Sequence, residues 1–307
     1  MTSPAAIAPY ARYLLAKQSV DDRSVNAGVL SWVHDEIGTA ARRFVEIGGG
    51  VGTMVTRLYE RGVAVSGEYL LIDGDAQTLA AARGYLAAWA AGSGVAAREQ
   101  ADGIMLGDLA VRLVEAEIGA YTQRAVGLRA DVLVGCAVLD VIDVPRLLPG
   151  LLSMLKPGGI YWFPITYDGE MALQPDHSDD SAVIAAYHAD MDRRVRHGRP
   201  AGERFAGRRL FGHLRTAGAP VCAAGSSDWV VLPKPGGGYP GDESAFVAGI
   251  LDTIESALVP VAATPGWLPL VRADVVLRWL SARREQLARG ELVYIAHNLD
   301  VAGRVST

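Results

Sequence analysis

Apolar runs of strand length alternate with segments of helical periodicity along the first half of the chain. Phe44, Val45 and Ile47 end one such run, and the segment 53–58 that follows places its apolar residues at helical spacing. The run 130–140 is almost continuously apolar, as expected of a central strand that is covered on both faces. Strands that alternate with helices form parallel sheets between two helical layers. The pattern therefore predicts a doubly wound, mostly parallel α/β fold.

Seven apolar runs predict a seven-stranded sheet with helices before the first strand and between the last two. Besides the two runs above, the predicted strands are residues 69–73, 111–118, 160–165, 221–232 and 292–299. One helix is predicted over residues 5–17, a second ends near residue 37, and another is predicted over residues 179–197. Two more, 243–258 and 270–289, separate the sixth strand from the seventh. Because this connection is long, we interpret it as an inserted helical cap.

A glycine-rich turn joins the first strand to the helix after it. Residues 46–52 read Glu-Ile-Gly-Gly-Gly-Val-Gly, so that Gly48, Gly50 and Gly52 occupy alternate positions. Glycine adopts the backbone angles of a tight turn and lets a ligand approach the main chain, and the helix start favours an anionic group. The dinucleotide fingerprint requires Gly or Ala where this chain has Thr53 or Val55, so that fingerprint does not fit.

A carboxylate ends the neighbouring predicted strand. Asp73 follows the apolar run 69–72, and Gly74 and Asp75 come next. In dinucleotide-binding folds an acid in a comparable place accepts the ribose hydroxyl. Asp73 is therefore the predicted ribose ligand, with Asp75 as the alternative and as a candidate helix cap.

The spacing acidic-x-Gly-x-Gly-x-Gly, which begins with Glu46, resembles the first motif of the class I S-adenosylmethionine-dependent methyltransferases. The stretch 130–163, with Leu-Lys-Pro-Gly-Gly at 155–159, resembles the fourth-strand region of the same family. The resemblance spans residues 44–165. It implies a Rossmann-like fold, S-adenosylmethionine as cofactor and S-adenosylhomocysteine as product. The cofactor-binding residues that it implies are Glu46, Gly48, Gly49, Gly50, Gly52, Asp73, Gly74, Glu117 and Asp140.

Glu117 closes the predicted third strand, where the family often places an acid near the adenine amino group. Asp102 and Asp108 are alternatives for this role, and a plain surface position for Glu117 is equally open.

The resemblance divides one elaborated domain into three parts. Residues 1–40 would form a helical lid, 41–168 the cofactor-binding core, and 169–307 the rest of the sheet with a helical substrate cap. Groups that follow the fifth strand then face the methyl acceptor. His188 is the predicted general base, with Tyr167 and Asp168 positioning the substrate, and a structural role is the alternative for the histidine.

No metal is predicted. Asp140 with Asp168 resembles the acid pair of the metal-dependent catechol-type methyltransferases, but Gly169 stands where those enzymes usually add an amide ligand.

Charge and motifs favour a small-molecule acceptor. The net charge of -5 gives no sign of the excess of basic residues that is typical of nucleic-acid-binding proteins. Residues 139–142 read Leu-Asp-Val-Ile, unlike the Asp/Asn-Pro-Pro-Tyr/Phe motif of related enzymes that methylate DNA or protein amides. Seven arginines between positions 193 and 209 stand against this view, since they could meet phosphates. A solvated helix face, or a binding site for an acidic small substrate, explains these arginines equally well, so nucleic acid is not the expected partner.

No apolar run reaches the length of a membrane span, and no signal-peptide pattern begins the chain. Cys136 and Cys222 lie in apolar stretches and are expected to be buried, reduced thiols. We therefore expect a soluble, cytoplasmic protein without a membrane partner. The oligomeric state is left open, with a homodimer among the alternatives.

Three rival functions remain. An RNA or protein methyltransferase would use the arginine cluster, and a non-catalytic S-adenosylmethionine-binding protein would keep the turn but lose methyl transfer. An NAD-linked oxidoreductase is disfavoured by Thr53 and Val55.

Overall fold

One large mixed sheet organises the chain. The computed structural model describes residues 8–38, 40, 42–196, 198–262 and 271–306. Within these residues the sheet has ten strands, and a separate two-stranded hairpin stands apart from it. The sheet strands are β1 (Arg42–Ile47), β2 (Ser66–Asp73), β3 (Ala97–Gln100), β4 (Gly103–Leu106), β5 (Asp108–Glu115), β6 (Ala130–Val134), β7 (Leu155–Gln174), β10 (Val221–Ser226), β11 (Trp229–Val231) and β12 (Val293–Arg304). The hairpin is β8 (Val195–Arg196) with β9 (Arg199–Pro200).

Helices precede, connect and cap the strands. They are α1 (Pro9–Ala16), α2 (Gln18–Ser24), α3 (Ala27–Ile37), α4 (Thr53–Glu60), α5 (Ala76–Ser93), α6 (Ile118–Arg124), α7 (Val144–Leu152), α8 (Asp180–Met191), α9 (Ala206–Thr216), α10 (Glu243–Ala262) and α11 (Ala273–Ala288). No helix in the described part of the chain is both long enough and apolar enough to span a bilayer.

The strand order is β10-β12-β7-β6-β1-β2-β5-β4-β3, with β11 also paired to β12. Strands β7, β6, β1, β2 and β5 run parallel, and β12 is antiparallel to β7. In chain order, β2 and then β5 extend the sheet on one side of β1, and β6 and then β7 extend it on the other side. A cleft therefore opens at the carboxyl ends of β1 and β6, where such sheets bind ligands. The predicted fold class is confirmed. The short strands β3 and β4 are additional to the seven expected, and the predicted strand 221–232 is divided into β10 and β11.

Both faces of the central strands are buried. In β1, Phe44 packs into one apolar cluster while Val45 and Ile47 pack into the other. In β2, Tyr69 belongs to the first cluster and Leu70 to the second. This alternation is the period-two pattern of a strand that lies between two helical layers. It fixes the register of the strands whose ends carry the predicted site.

The main differences from the predicted elements lie after residue 165. Strand β7 was expected to end there but continues to Gln174, because β12 pairs with it from Ile160 to Gln174. The helix predicted over 179–197 ends at Met191, and the chain then forms the β8–β9 hairpin. The third strand begins and ends three residues earlier than expected, at Asp108 and Glu115. Residues 5–7, 197 and 270 of the predicted helices lie outside the described residues.

Candidate cofactor site

The glycine turn between β1 and α4 has a backbone that side chains would not allow. Gly48, Gly50 and Gly52 have φ values of +62°, +57° and +82°, in the left-handed region. A Cβ on Gly48 would lie 2.6 Å from Val138 Cγ2, and one on Gly50 would lie 2.9 Å from Leu14 Cδ1. The turn is therefore glycine-rich for both conformational and steric reasons.

Asp73 holds this turn from the neighbouring strand. Its Oδ2 accepts a hydrogen bond from Gly50 N at 3.0 Å, and its Oδ1 accepts one from Asp75 N at 3.0 Å. The side chain is half-buried. Each carboxylate oxygen keeps a second lone pair, so the group that fixes the turn can also accept bonds from a ligand.

A cavity of about 930 Å³ opens over the glycine turn. The predicted residues that line it are Glu46, Gly48, Gly49, Gly50, Asp73, Gly74 and Glu117. They come from the ends of β1, β2 and β5, so the fold brings together three separate parts of the sequence. The volume lies at the upper end of the range of roughly 300–1,000 Å³ found for small-molecule pockets.

Two residues predicted to bind cofactor do not line the cavity. Gly52 serves as the N-cap of α4. Asp140 lies in the 3-10 turn Leu139–Val141, and its carbonyl oxygen accepts a hydrogen bond from Glu203 N at 3.2 Å. The following residues, Val141 and Ile142, line the cavity instead.

The N-terminal helices close one side of the cavity. Tyr10, Leu14 and Lys17 line it from one face of the α1 region. Lys17 Nζ forms an ion pair at 3.0 Å with Asp21, which also lines the cavity. Trp229 Nε1 donates to Asp21 Oδ1 at 2.8 Å, so the pair is anchored to β11. Tyr10, Leu14 and Lys17 were not predicted from the sequence as cavity residues, although their spacing of four and three residues indicates a shared helix face.

Asp22, Arg23 and Asn26, by contrast, connect elements of the fold. Arg57 Nε donates to Asp22 Oδ1 at 2.6 Å and ties α4 to α2. Arg23 Nη2 donates to Glu243 Oε2 at 2.7 Å and ties α2 to α10. The side chain of Asn26 caps α3. These contacts hold the N-terminal helices against both the core and the cap.

Glu46 is a buried carboxyl at the floor of the cavity. It is 2% exposed, and its Oε2 accepts a hydrogen bond from the Tyr69 hydroxyl at 2.9 Å. Burial raises the pKa of Glu46 to about 8, against the lowering effects of the Tyr69 hydrogen bond and of nearby Arg57. The carboxyl is therefore largely protonated at neutral pH, and a cationic ligand group beside it would favour its ionised form.

Two further acids at the cavity cap helices. Asp75 Oδ1 accepts from Gln77 N at 3.0 Å at the start of α5, which agrees with the capping role that its position suggested. Glu117 Oε2 accepts from Ala120 N at 2.7 Å at the start of α6. Partial burial raises the pKa of Glu117, but backbone N–H donors and nearby arginines outweigh it, so the pKa is lowered. Glu117 therefore stays ionised at the cavity wall just after β5.

The three residues predicted to act on the acceptor do not line the cavity. His188 is buried in α8, and its Nε2 lies 2.7 Å from the Tyr167 hydroxyl oxygen. Asp168 is also buried and accepts from Arg208 Nε at 2.9 Å on both carboxylate oxygens. Burial lowers the pKa of His188 and raises that of Tyr167, which disfavours the charged form of each.

The reason for this placement is the extension of β7. Tyr167 and Asp168 were expected in a loop at the cleft, whereas they lie within the strand, and Tyr167 pairs with Asn298 of β12. The geometry of the cavity therefore does not support the predicted base. Among the described residues, no group of three or more His, Cys, Asp or Glu side chains is arranged to hold a metal ion.

Cys136 lines the cavity, and burial raises the pKa of its thiol to about 12, so it is an unreactive wall residue. Cys222 was expected to be buried but is exposed.

No protein-family model and no curated protein sequence matches this chain. Solved structures do resemble it. An S-adenosylmethionine-dependent methyltransferase from Thiobacillus denitrificans, in complex with S-adenosyl-L-homocysteine, is 15% identical, covers 92% of this chain and 96% of its own, and has a TM-score of 0.45. Geranyl diphosphate C-methyltransferase from Streptomyces coelicolor, in complex with Mg²⁺, geranyl diphosphate and S-adenosyl-L-homocysteine, is 11% identical, with coverages of 91% and 78% and a TM-score of 0.40.

An O-methyltransferase family protein from Burkholderia thailandensis is 21% identical, covers 70% of this chain and 54% of its own, and has a TM-score of 0.42. At these identities and TM-scores the similarity carries no conclusion about activity. The function of this chain is argued from its own cavity.

Proposed function

We propose that this protein is an S-adenosylmethionine-dependent methyltransferase that transfers a methyl group to oxygen or nitrogen of a small-molecule acceptor. The observation that carries the proposal is the cavity at the ends of β1, β2 and β5. It combines a glycine turn that lines the cavity with one carboxylate at the end of β2 and another just after β5. The motif that resembles the methyltransferase family supplies that turn.

The residues of the turn fit the amino-acid tail of the cofactor. Glu46 would meet the ammonium group, since a buried carboxyl beside a cation gains from ionising. Because Gly48 and Gly50 adopt positive φ values, the main chain of the turn lines the cavity, where the tail can contact it. Helix α4 begins directly after the turn and favours the carboxylate end.

Asp73 would accept the ribose hydroxyls while keeping its bond to Gly50. Glu117 and the residues that follow it, Ile118 to Ala120, would enclose the adenine. S-adenosylmethionine supplies an activated methyl group on a sulfonium, which leaves without needing a proton. The chain then has to align the acceptor and exclude water, and alignment contributes up to roughly 7–11 kcal/mol in favourable cases.

We further propose that the chain works as one domain in three parts: a helical lid over residues 1–40, a core over 41–168, and a sheet edge with a substrate cap over 169–307. The lid is supported by α1, since Leu14 lies directly over Gly50 and Lys17 lies at the cavity wall. The cap is supported by the packing of α10 against α1 and α11. The acceptor would enter between Tyr10 of the lid and Val141 of the core.

A small acceptor is favoured over a macromolecule by the state of the arginine cluster. Four of the seven arginines are engaged by acids of this chain: Arg194 by Asp190, Arg204 by Asp192, Arg208 by Asp168 and Arg209 by Glu203. An arginine whose charge is already paired contributes less to phosphate binding along a nucleic acid.

Calorimetry with S-adenosylhomocysteine and with NADH tests the cofactor part of the proposal. We expect one S-adenosylhomocysteine per chain and no heat with NADH. Transfer of a labelled methyl group into a cell extract then tests the acceptor part, and label in the small-molecule fraction is the expected result. Label in RNA or protein would reject the small acceptor, and cofactor binding without any labelled product would favour a non-catalytic binding protein.

A further inference from the structure

The β8–β9 hairpin places two arginines opposite each other at the cavity. Arg196 and Arg199 are directly paired residues of its two antiparallel strands. Side chains at directly opposed positions of an antiparallel pair lie on the same face, and like charges there are destabilising. Both residues line the cavity, so the shared face is the one turned toward it.

Neither charge is neutralised by the part of the chain that the structure describes. Arg196 and Arg199 are exposed, and neither forms an ion pair or a side-chain hydrogen bond with another described residue. This separates them from the four arginines of the same segment that are held by acids. Nearby carboxylates are already engaged, since Asp143 accepts from Arg146 Nε at 3.2 Å and Glu117 caps α6.

Glu117, Asp143 and Arg146 are charged residues that line the cavity together with the hairpin. Arg196 and Arg146 both help to lower the pKa of Glu117, so the three charges act on one another through the cavity. The hairpin contributes two arginines and no acid to the lining of the cavity, so an anion beside them would neutralise charges that no acid of the described residues pairs. Guanidinium groups bind phosphate and carboxylate in a bidentate manner, and two of them together form a site for a multiply charged group.

We propose that Arg196 and Arg199 form an anion subsite, and that the acceptor of the methyl group is a small molecule with a phosphate or carboxylate group. The inference rests on the proposed function and names the chemical class of its acceptor. The segment that follows the hairpin is tied to the core, because Glu203 N donates to the carbonyl oxygen of Asp140 at 3.2 Å, and both arginines of the hairpin line the same cavity as the glycine turn. The one carboxylate of S-adenosylmethionine is assigned above to the start of α4, so the cofactor does not account for the two arginines of the hairpin.

The test compares two double variants that change the net charge equally. Arg196→Gln with Arg199→Gln removes the subsite. Arg272→Gln with Arg278→Gln, on exposed arginines at the start of α11, is the control. Each protein is first titrated with S-adenosylhomocysteine, and the saturated complex is then titrated with inorganic pyrophosphate and with citrate in low salt. The two probes distinguish phosphate from carboxylate recognition.

We expect the wild-type complex and the control to bind at least one of the two anions. We expect the hairpin variant to bind it at least about tenfold more weakly, with S-adenosylhomocysteine affinity changed by less than about twofold.

Anion affinity that is unchanged in the hairpin variant, or absent in the wild type, would overturn the subsite. A parallel loss of S-adenosylhomocysteine affinity would also overturn it, because the hairpin would then serve the cofactor. Failure of the wild type to bind S-adenosylhomocysteine would appear in the first titration and would remove the proposed function itself.

Discussion

Gly50 N donates a hydrogen bond to Asp73 Oδ2 at 3.0 Å, which joins the glycine turn of β1 to the acid at the end of β2. The two sequence features that predict the cofactor site are therefore one structural unit. The carboxylate that would hold the ribose also fixes the main chain that would hold the amino-acid tail. A change at either residue should thus affect both the stability of the turn and the binding of the ligand.

Replacing Asp73 by alanine should weaken the binding of S-adenosylhomocysteine at least about tenfold, since hydrogen bonds to charged groups contribute about 1.5–3 kcal/mol each. It should also lower the melting temperature of the ligand-free protein, because the N–H groups of Gly50 and Asp75 lose their acceptor. Calorimetry and thermal unfolding measure the two effects. Asp75→Ala is the control, since it removes a helix cap at a cost of about 1 kcal/mol but should leave affinity nearly unchanged. Equal affinity in wild type and Asp73→Ala would rule out the ribose role.

Replacing Gly50 by alanine should destabilise the protein by more than replacing Gly94. Both residues have positive φ, so each substitution carries a conformational cost of roughly 1–2 kcal/mol. Only Gly50 adds a steric cost, because its Cβ would lie 2.9 Å from Leu14 Cδ1, whereas a Cβ on Gly94 meets nothing within 4 Å. Urea unfolding of the two variants measures the difference. Equal free energies of unfolding would show that Leu14 of α1 does not crowd a Cβ at position 50.

The buried Glu46 should make the protein less stable as pH rises from about 4.5, its ordinary pKa, to about 8, its folded value. Over this interval the folded state keeps a proton that the unfolded state has lost, so unfolding becomes easier with a slope of at most about 1.4 kcal/mol per pH unit. Glu46→Gln removes the titrating group and should flatten this part of the profile. Urea unfolding at several pH values between 5 and 8 would test it. Parallel profiles for the two proteins would show that Glu46 is already ionised in the fold.

His188→Ala should reduce stability more than catalysis. The change leaves the buried Tyr167 hydroxyl without its partner, and an unsatisfied buried group costs about 1–3 kcal/mol. Loss of a general base would instead lower kcat by about 10²–10⁴-fold. Thermal unfolding, together with methyl transfer to the acceptor found by labelling, separates the two roles. A kcat that falls a hundredfold in a variant of normal stability would restore His188 as the base.

The sequence predicts the fold and the cofactor end of the site because both depend on local patterns. Short apolar runs predict β1 and β2, and the glycine spacing needs only seven consecutive residues. The acceptor side depends on pairing between distant segments. Asp168 has a polar, loop-like sequence around it, yet it lies in β7 because β12 pairs there from more than a hundred residues away. Lys17 reaches the cavity because α1 packs over the turn. The spacing of Tyr10, Leu14 and Lys17 indicates a shared helix face, but it does not reveal which element that face meets.

A crystal structure of the protein with S-adenosylhomocysteine tests the central claim most directly. The account predicts the amino-acid tail against the main chain of Gly48 and Gly50, with the ribose hydroxyls on Asp73. An empty cavity in crystals soaked at saturating ligand, or a dinucleotide whose pyrophosphate lies on the glycine turn, would contradict it.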